Sequence, residues 1–193
     1  MSLEPSTPIA VLDYGMGNLR SVEKALARAG AEPVVTRDHE VARAAAGIVL
    51  PGVGAFPKAM SNLRELGFDT LLADRLASAV PMLGICLGMQ LLFEASSENE
   101  GSWGLGVMQG RVERLPAGRQ TAPGLKVPHI GWSAVRWTQS SRLTKGIPSD
   151  AAFYFVHTFA PVVTAEEDIL GLADYGDPFA CAVQREPLYG VQF

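Results

Sequence analysis

Cysteine and histidine are scarce in this sequence of 193 residues. Its 2 cysteines are too few for a disulfide framework, so we expect free thiols in a reducing compartment, the cytoplasm. Neither the cysteines nor the 3 histidines form a pair with the spacing that zinc requires. The sequence therefore predicts no metal site.

An excess of positive charge is also absent. The 16 lysines and arginines are outnumbered by 20 aspartates and glutamates, which gives a net charge of −4. Such a chain has no overall basic field to attract nucleic acid or an anionic membrane surface. Hydrophobic residues make up 48% of the chain, which excludes a disordered protein and predicts one domain over residues 1–193.

Targeting and membrane-spanning segments are the next features that are missing. Met1 to Pro8 lack the basic patch and the apolar run of a signal peptide, and we interpret them as a short, loose leader. An uncharged stretch from Leu76 to Phe93 just reaches the length of a membrane helix. Pro81, Gly84 and Gly88 interrupt it, so a buried strand, a sharp turn and a buried helix are favoured over a membrane span.

The first half of the chain alternates apolar runs with helical patterns. Short strands are predicted at four places: Ile9–Leu12, Pro33–Thr36, Ile48–Leu50 and Met82–Ile85. Helical patterns lie between and after them: residues 19–29, a helix ending at Ala46, residues 56–79 and residues 89–95. Strands that alternate with helices predict an α/β fold with an open, mostly parallel, doubly wound sheet.

The second half is rich in strands without comparable helices between them. Strands are predicted at residues 107–115, 133–137, 152–159, 169–173 and 179–184, in a mixed or antiparallel arrangement. Residues 189–193 look like one more buried strand. Because a parallel strand normally leads into a helix that covers the sheet, we expect the natural chain to continue beyond Phe193.

The segment Gly84-Ile85-Cys86-Leu87-Gly88 carries the strongest local signal. Glycines two residues on either side of a nucleophile allow the sharp turn between a strand and a helix that exposes its side chain. A thiol at the start of a helix is expected to ionise more readily. The alternative is a buried cysteine between two turn glycines, and Cys181 is predicted to be a core residue.

Two other strand ends carry glycine-rich loops. Pro51-Gly52-Val53-Gly54 could direct backbone N–H groups at a developing oxyanion, or it could be an ordinary turn. The loop at Asp13 to Asn18 ends in Asn18, a plausible N-cap for the helix that follows. Gly15 and Gly17 do not complete a dinucleotide or nucleotide fingerprint, so no cofactor is predicted.

A thiol nucleophile needs a base, and the sequence does not assign one of its three histidines to that role. His39 follows Asp38 at a predicted helix start and is expected to face solvent. His129 and His157 lie among apolar residues, where a hydrogen-bonded core histidine is a more common finding than a catalytic one.

Two segments together resemble the class I, triad-type glutamine amidotransferases: Gly84-Ile85-Cys86-Leu87-Gly88-Met89-Gln90 and Leu50-Pro51-Gly52-Val53-Gly54-Ala55-Phe56. Within that family three more segments are similar to the glutaminase subunits of imidazole glycerol phosphate synthases: residues 13–18, Pro128-His129-Ile130-Gly131-Trp132 and Tyr154-Phe155-Val156-His157-Thr158. The resemblance runs nearly from end to end, and it implies a flavodoxin-like fold.

The resemblance also implies a role for each matching residue. Cys86 would be the nucleophile, and the backbone N–H groups of Val53, Gly54 and Leu87 would form the oxyanion hole. Substrate contacts are implied for four residues: Gly52, Gln90, Thr158 and Phe159. The family often has tyrosine at the last position. Its catalytic histidine and glutamate stand in a His-Pro-x motif directly after Gly190-Val191-Gln192-Phe193, where this sequence ends.

The activity that the resemblance implies is hydrolysis of L-glutamine to glutamate and ammonia. The ammonia would pass through a tunnel to a (β/α)₈-barrel cyclase, the partner in a heterodimer, which makes imidazole glycerol phosphate in histidine biosynthesis. The resemblance places four residues near that partner: Asn18, His129, Trp132 and Tyr154. Tryptophan and tyrosine suit such an interface because they bury a large area and keep a polar group.

Three other interpretations stay open at this point. The chain could be the glutaminase subunit of a different synthase, which would leave residues 128–132 without a reason. It could be a docking subunit without turnover, an interpretation that the absent His-Pro-x motif supports. It could also be a cysteine-based redox protein with a reactive thiol at the same turn.

Overall fold

A central sheet of eight strands organises the computed structural model, which describes residues 8–99, 101–115 and 125–193. The first seven residues of the predicted leader lie outside these ranges. The first half contributes these strands: β1 (Ile9–Leu12), β2 (Pro33–Thr36), β3 (Gly47–Leu50) and β4 (Met82–Ile85). It also contributes these helices: α1 (Leu19–Arg28), α2 (His39–Ala44), α3 (Phe56–Glu65), α4 (Phe68–Ala77) and α5 (Leu87–Gln90).

In the described part of the second half, the regular elements are strands, apart from a short 3₁₀ turn at Glu166–Asp168. The strands are β5 (Ala95–Ser96), β6 (Ser102–Trp103), β7 (Gly110–Arg114), β8 (His129–Ala134), β9 (Arg136–Trp137), β10 (Ala152–His157), β11 (Phe159–Val163), β12 (Ile169–Tyr175), β13 (Asp177–Arg185) and β14 (Leu188–Val191). The strand-rich second half predicted from the sequence is therefore confirmed.

The eight-stranded sheet has the order β2-β1-β3-β4-β14-β13-β12-β9. Its first five strands are parallel neighbours, and the remaining three pairings are antiparallel. The order of the parallel part is the flavodoxin-like one, in which ligands bind beyond the carboxyl ends of the strands. The predicted mostly parallel α/β sheet with a mixed second half is confirmed.

Two smaller sheets stand beside the central one. Strands β8 and β10 form an antiparallel ribbon, and a four-stranded sheet has the order β11-β7-β5-β6. The chain passes from the ribbon to the four-stranded sheet at Thr158, the bend between β10 and β11. The prediction of one continuous strand over residues 152–159 was therefore wrong, because β10 pairs with β8 whereas β11 pairs with β7.

Other predicted elements differ in their bounds for local reasons. The helix expected over residues 56–79 is divided into α3 and α4, since Gly67 adopts a φ of 68° between them. The helix expected over residues 89–95 ends at Gln90. The carbonyl groups of Leu91 and Phe93 instead accept hydrogen bonds from the N–H groups of Leu105 and Gly106.

The strand expected over residues 133–137 is the end of β8 followed by the separate β9, and β8 already begins at His129. Strands β12 and β13 are longer than expected and β7 is shorter. The strand expected over residues 189–193 spans Leu188–Val191. Strands β5 and β6 have only two residues each, and their sequence carries no alternating pattern that would predict them.

The stretch from residue 76 to residue 93 forms the end of α4, β4 and α5, as the favoured interpretation predicted. Within the described ranges, the structure contains no helix that is long and apolar enough to cross a membrane.

Candidate active site

The carboxyl ends of four neighbouring parallel strands meet at one edge of the central sheet. They are β1, β3, β4 and β14, which lead into residues 13–18, 51–54, 86–90 and 192–193. Both glycine-rich loops and the predicted nucleophile turn therefore lie at the same edge, where an open α/β sheet places its ligands.

Cys86 occupies the predicted sharp turn between β4 and α5. Its backbone has φ 54° and ψ −114°, a conformation that costs energy for any residue with a side chain. The N–H group of Cys86 donates to the carbonyl of Val191 at 2.7 Å, which ties the turn to β14. The strand, turn and helix predicted from the glycines are confirmed.

Gly88 allows this turn to pack against the end of β3. A methyl group added there would lie 1.8 Å from the carbonyl oxygen of Leu50. One added at Gly52 would lie 2.7 Å from the backbone nitrogen of Gly88. The two loops thus approach each other backbone to backbone, and only glycine fits at these two positions.

Burial raises the pKa of the Cys86 thiol. Hydrogen bonds from the backbone of Leu87 and from the side chain of Gln192 act in the opposite direction and do not outweigh it. The helix start does lower the pKa of this thiol through the N–H group of Leu87, as expected, but burial has the larger effect, so the net pKa is raised and not lowered. Helix α5 has only four residues, which leaves little dipole to offset the burial.

The loop from Pro51 to Gly54 is held from below by Tyr14. The buried Tyr14 hydroxyl donates to the carbonyl of Pro51 at 2.6 Å, and Asn62 Nδ2 donates to the carbonyl of Tyr14 at 2.9 Å. Val53 is exposed, and Gly54 has a φ of 99°. Pro51 is thus fixed, whereas the next residues extend into the site.

A cavity of about 530 Å³ opens above Cys86. Its lining includes most of the residues predicted for the oxyanion hole and for substrate: Val53, Gly54, Leu87, Gln90, Thr158 and Phe159. The structure thus brings these residues together with the thiol. Gly52 lies beneath them, against Leu87 and Gly88.

Two glutamine side chains connect the thiol to the cavity wall. Gln192 Nε2 donates to Cys86 Sγ at 3.5 Å. Gln90 Nε2 donates to Gln192 Oε1 at 3.0 Å and to the carbonyl of Phe159 at 3.0 Å. Because a carbonyl only accepts, these bonds fix the orientation of both amides and leave Gln90 Oε1 as an acceptor.

Glu98 is a site residue that the sequence analysis did not identify. It lines the cavity, and its Oε2 accepts a hydrogen bond of 2.7 Å from the N–H group of Phe56 at the start of α3. The segment Ser96-Ser97-Glu98-Asn99 has the composition of a solvated loop. Only the pairing of β5 with β7 brings it to the cavity.

The second cysteine is placed away from the thiol, and His157 lines the same cavity as Cys86, although within the described residues no histidine is hydrogen-bonded to the sulfur. His129 and His157 are buried and hydrogen-bonded to each other, as expected for core histidines. His39 was expected to face solvent, but its Nε2 lies 2.8 Å from the carbonyl of Leu66 and its ring stacks on Phe68. Cys181 is fully buried in the core, as predicted.

The residues predicted to contact a partner do not share one position. Trp132 is 72% exposed, and it contacts the exposed Tyr154 edge to face at 5.5 Å. Asn18 is exposed as well, and its side chain caps α1 by accepting from the N–H group of Ser21, which confirms the predicted N-cap. His129 is only 2% exposed, so its imidazole supports the ribbon from inside and offers no direct contact.

Among residues 8–99, 101–115 and 125–193, no group of three or more histidine, cysteine, aspartate or glutamate side chains is arranged to hold a metal ion.

Comparisons with known proteins cover almost the whole chain. The family model for glutamine amidotransferase class-I matches residues 10–193. The imidazole glycerol phosphate synthase subunit HisH of Moorella thermoacetica is 48% identical over 186 residues, which cover 96% of this chain and 86% of the relative. The protein of the same name from Geobacillus thermodenitrificans is 43% identical over 187 residues, covering 97% and 87%.

Solved structures agree on the fold. A crystal structure of a glutamine amidotransferase superposes with a TM-score of 0.69 at 23% identity and covers 96% of this chain and 88% of that one. The structure of PurLQS from Thermotoga maritima gives a TM-score of 0.70 at 17% identity, with coverage of 96% and 86%. At such identities these likenesses concern the fold alone.

Proposed function

Because the chain belongs to the class I glutamine amidotransferases, we propose that it hydrolyses L-glutamine to glutamate and ammonia with Cys86 as the nucleophile. The observation that carries this assignment is the position of Cys86 at a strained turn, beneath a cavity whose wall is lined by amide, hydroxyl and carboxylate groups. Strain at a site that packing holds in place is typical of a catalytic residue.

The polar groups of the cavity suit a glutamine zwitterion. The carboxylate of Glu98 complements the α-ammonium group, and the free oxygen of Gln90 can accept a hydrogen bond from the substrate. Thr158 and Phe159 form the opposite wall, where the hydroxyl of Thr158 is the polar side-chain group that could bind the substrate. Phe159 offers no hydroxyl of its own, so its contact is apolar or through its backbone.

The reaction proceeds by acyl transfer to sulfur. The thiolate attacks the carboxamide carbon, and the N–H group of Leu87 together with those of Val53 and Gly54 stabilises the oxyanion. As this intermediate collapses, the general acid donates a proton to the departing amide nitrogen, which leaves as ammonia, and a glutamyl thioester remains. A water molecule then attacks the thioester and releases glutamate and the free thiol.

Because burial raises the pKa of Cys86, a base must take its proton. Both ring nitrogens of His129 and of His157 are engaged in hydrogen bonds, and His39 Nε2 is engaged with the carbonyl of Leu66. Gln192 donates to Cys86, and Phe193 lines the cavity, so a residue that follows Phe193 would emerge beside the thiol. We place the catalytic histidine there, with the glutamate that orients it, as the resemblance to the family implies.

The ammonia serves a cyclase subunit in histidine biosynthesis, since the curated relatives are named as subunits of imidazole glycerol phosphate synthase. We propose that this partner is a (β/α)₈ barrel that forms a heterodimer with the chain in the cytoplasm. The outer face of the β8–β10 ribbon, with Trp132 and Tyr154, supports this assembly because exposed aromatic residues are frequent interface anchors.

Glutamate release from glutamine tests the proposal. The assay compares residues 1–193 with a chain extended by His-Pro-Glu after Phe193, each with and without the cyclase subunit. We expect turnover from the extended chain, and we expect Cys86→Ala to reduce it by about 10³-fold or more because the nucleophile has no substitute. Cys181→Ala is the matched control and retains turnover. Full turnover by Cys86→Ala would exclude the mechanism.

A docking subunit without turnover is the second candidate. It is favoured by one observation: the pKa of Cys86 is raised and no histidine of this chain contacts its sulfur in the described residues. This candidate predicts that the extended chain binds the cyclase but releases no glutamate under any condition.

A further inference from the structure

The β8–β10 ribbon has two faces with different composition. Cross-strand pairs Trp132–Tyr154 and Ile130–Val156 lie on the outer face, and all four side chains are exposed. The pair His129–His157 lies on the inner face, at the end of the ribbon nearest to the cavity. The buried ring of Phe155 and the half-buried Ser133 follow on the same face.

A chain of hydrogen bonds runs along this inner face. His157 Nδ1 lies 2.9 Å from the carbonyl of Phe159, His157 Nε2 lies 3.1 Å from His129 Nδ1, and His129 Nε2 lies 3.1 Å from Ser133 Oγ. The carbonyl only accepts, so His157 donates to it through Nδ1. In neutral rings His129 then donates to His157, and the Ser133 hydroxyl donates to His129.

Neutral rings are what their surroundings favour. Burial lowers the pKa of His157 to about 4, and it also lowers the pKa of His129. At neutral pH each of these three hydrogen bonds therefore has one donor and one acceptor. All three run in the same direction, from Ser133 towards the carbonyl of Phe159. His129 is further held by Tyr175, on which its ring stacks at 4.0 Å.

The chain of bonds ends at the carbonyl of Phe159, which also accepts from Gln90 Nε2. One oxygen thus joins the inner face of the ribbon to the Gln90 amide, which is hydrogen-bonded to Gln192, the residue that donates to Cys86. The bond from His157 also spans Thr158, the bend at which the chain leaves the ribbon for the four-stranded sheet. It therefore fixes the direction of the wall that Thr158 and Phe159 form.

We propose that His157 is a positioning residue for the glutamine pocket, and that His129 and Ser133 hold it in the required orientation. This inference rests on the proposed function. His157 lines the cavity, but both of its ring nitrogens are engaged with His129 and Phe159, so it does not act on the substrate. It orients the Phe159 carbonyl, and through it the Gln90 amide and the wall at Thr158, so that the pocket is formed before glutamine enters. Such preorganisation removes part of the cost of binding.

Two substitutions of His157 distinguish a role in positioning the glutamine pocket from a role in stabilising the fold. Asparagine places an amide near the position of Nδ1, so His157→Asn keeps the bond to Phe159 and loses the one to His129. Glutamine reaches the position of Nε2, so His157→Gln keeps the bond to His129 and loses the one to Phe159. Each variant loses one neutral hydrogen bond, and we expect similar drops in the urea midpoint of unfolding.

Glutamine affinity is measured by calorimetry in a Cys86→Ala parent, extended as above and bound to the cyclase, where turnover cannot interfere. We expect His157→Gln to weaken binding by about fivefold to tenfold, the equivalent of one lost neutral hydrogen bond. His157→Asn should recover most of that affinity. The loss of glutamine affinity should be largest in His157→Gln and smaller in His129→Phe, which keeps the ring stacking. It should be smallest in Ser133→Ala.

The outcomes distinguish this inference from the function on which it rests. If the parent does not bind glutamine, both the proposed function and the inference are overturned. If the parent binds glutamine and His157→Gln binds it with the same affinity as His157→Asn, only the inference is overturned. An affinity that merely follows the unfolding midpoint of each variant would assign the histidines to the fold alone and would overturn it as well.

Discussion

The edge of the sheet that carries Cys86 and the β8–β10 ribbon are built in opposite ways. At the edge, backbone packs against backbone, and added atoms at Gly52 or Gly88 would collide with neighbouring chain. On the ribbon, side chains alternate between a buried inner face and an exposed outer face. We therefore expect the edge to tolerate no additional atom at Gly52 or Gly88, whereas the ribbon should tolerate the loss of atoms on its exposed outer face.

The largest effect is expected from a single methyl group at the edge. Gly88→Ala places a methyl carbon 1.8 Å from the carbonyl oxygen of Leu50, and the end of β3 must move to make room. We expect a loss of about 3–5 kcal/mol in the free energy of unfolding, measured with urea.

The matched control for that change lies on the ribbon. An added methyl at Gly131 meets nothing within 4 Å, although the φ of 152° carries some strain. Gly131→Ala should therefore cost about 1 kcal/mol. Equal losses in the two variants would remove the distinction between the edge and the ribbon.

The inner face of the ribbon should be sensitive to acid. The pKa of His157 is about 4 in the folded chain against 6.5 in a model peptide, so between these values the unfolded chain binds the extra proton. Stability is complete above pH 6.5 and falls as the pH drops towards 4, by about 3 kcal/mol in total. Because burial also lowers the pKa of His129, its protonation in the unfolded chain reduces stability in acid as well. Urea unfolding at several pH values from 7 to 4.5 measures the slope.

His157→Asn lacks this titrating group and should show a flatter dependence of stability on pH over the same range. The same slope in the variant and in the parent chain would assign the acid sensitivity to other groups and not to the inner face.

A substitution on the outer face of the ribbon should weaken binding of the cyclase subunit and leave the free energy of unfolding almost unchanged. Trp132 is 72% exposed, so Trp132→Ala should change the free energy of unfolding by less than about 0.5 kcal/mol. We expect the Kd for the cyclase subunit to rise by about 30-fold, as for an aromatic anchor. Trp103, which is 65% exposed on β6, provides the control. Trp103→Ala should leave the Kd unchanged. Equal increases in the Kd for Trp103→Ala and Trp132→Ala would show that the effect depends on the exposure of the tryptophan and not on its position on the ribbon.

The smallest effect concerns one hydroxyl group below the edge. Tyr14→Phe removes the hydrogen bond to the carbonyl of Pro51 and should cost about 1 kcal/mol of stability, or slightly more because the carbonyl stays buried. Glutamate release should fall by a few fold, since the loop that contains Val53 and Gly54 is less firmly held. Unchanged turnover at normal stability would mean that packing alone fixes this loop.

The edge of the sheet could be predicted from the sequence because its signals are local. Apolar runs such as residues 82–85 identify buried strands, and Gly84 and Gly88 identify the turn within a few residues of Cys86. The resemblance to the family added the roles of residues that pattern alone does not assign, such as Gln90, which the structure does place at the cavity.

The remaining features depend on contacts between distant parts of the chain. Glu98 reaches the N–H group of Phe56, 42 residues away, and nothing in its own neighbourhood indicates this. The two faces of the ribbon are defined by the pairing of residues 129–134 with residues 152–157, which no local pattern specifies. His129 was therefore expected at an interface, although its partner across the ribbon draws it into the interior.

Strand β14 lies between β4 and β13, yet it follows nearly the whole sequence. During synthesis on the ribosome, β1 to β4 emerge before β14, so this edge of β4 is still unpaired, and an unpaired strand edge is prone to aggregation. The N–H group of Cys86 finds its acceptor only when Val191 arrives. The backbone hydrogen bond that ties the Cys86 turn to the sheet therefore forms only after β14 has been synthesised and has paired with β4.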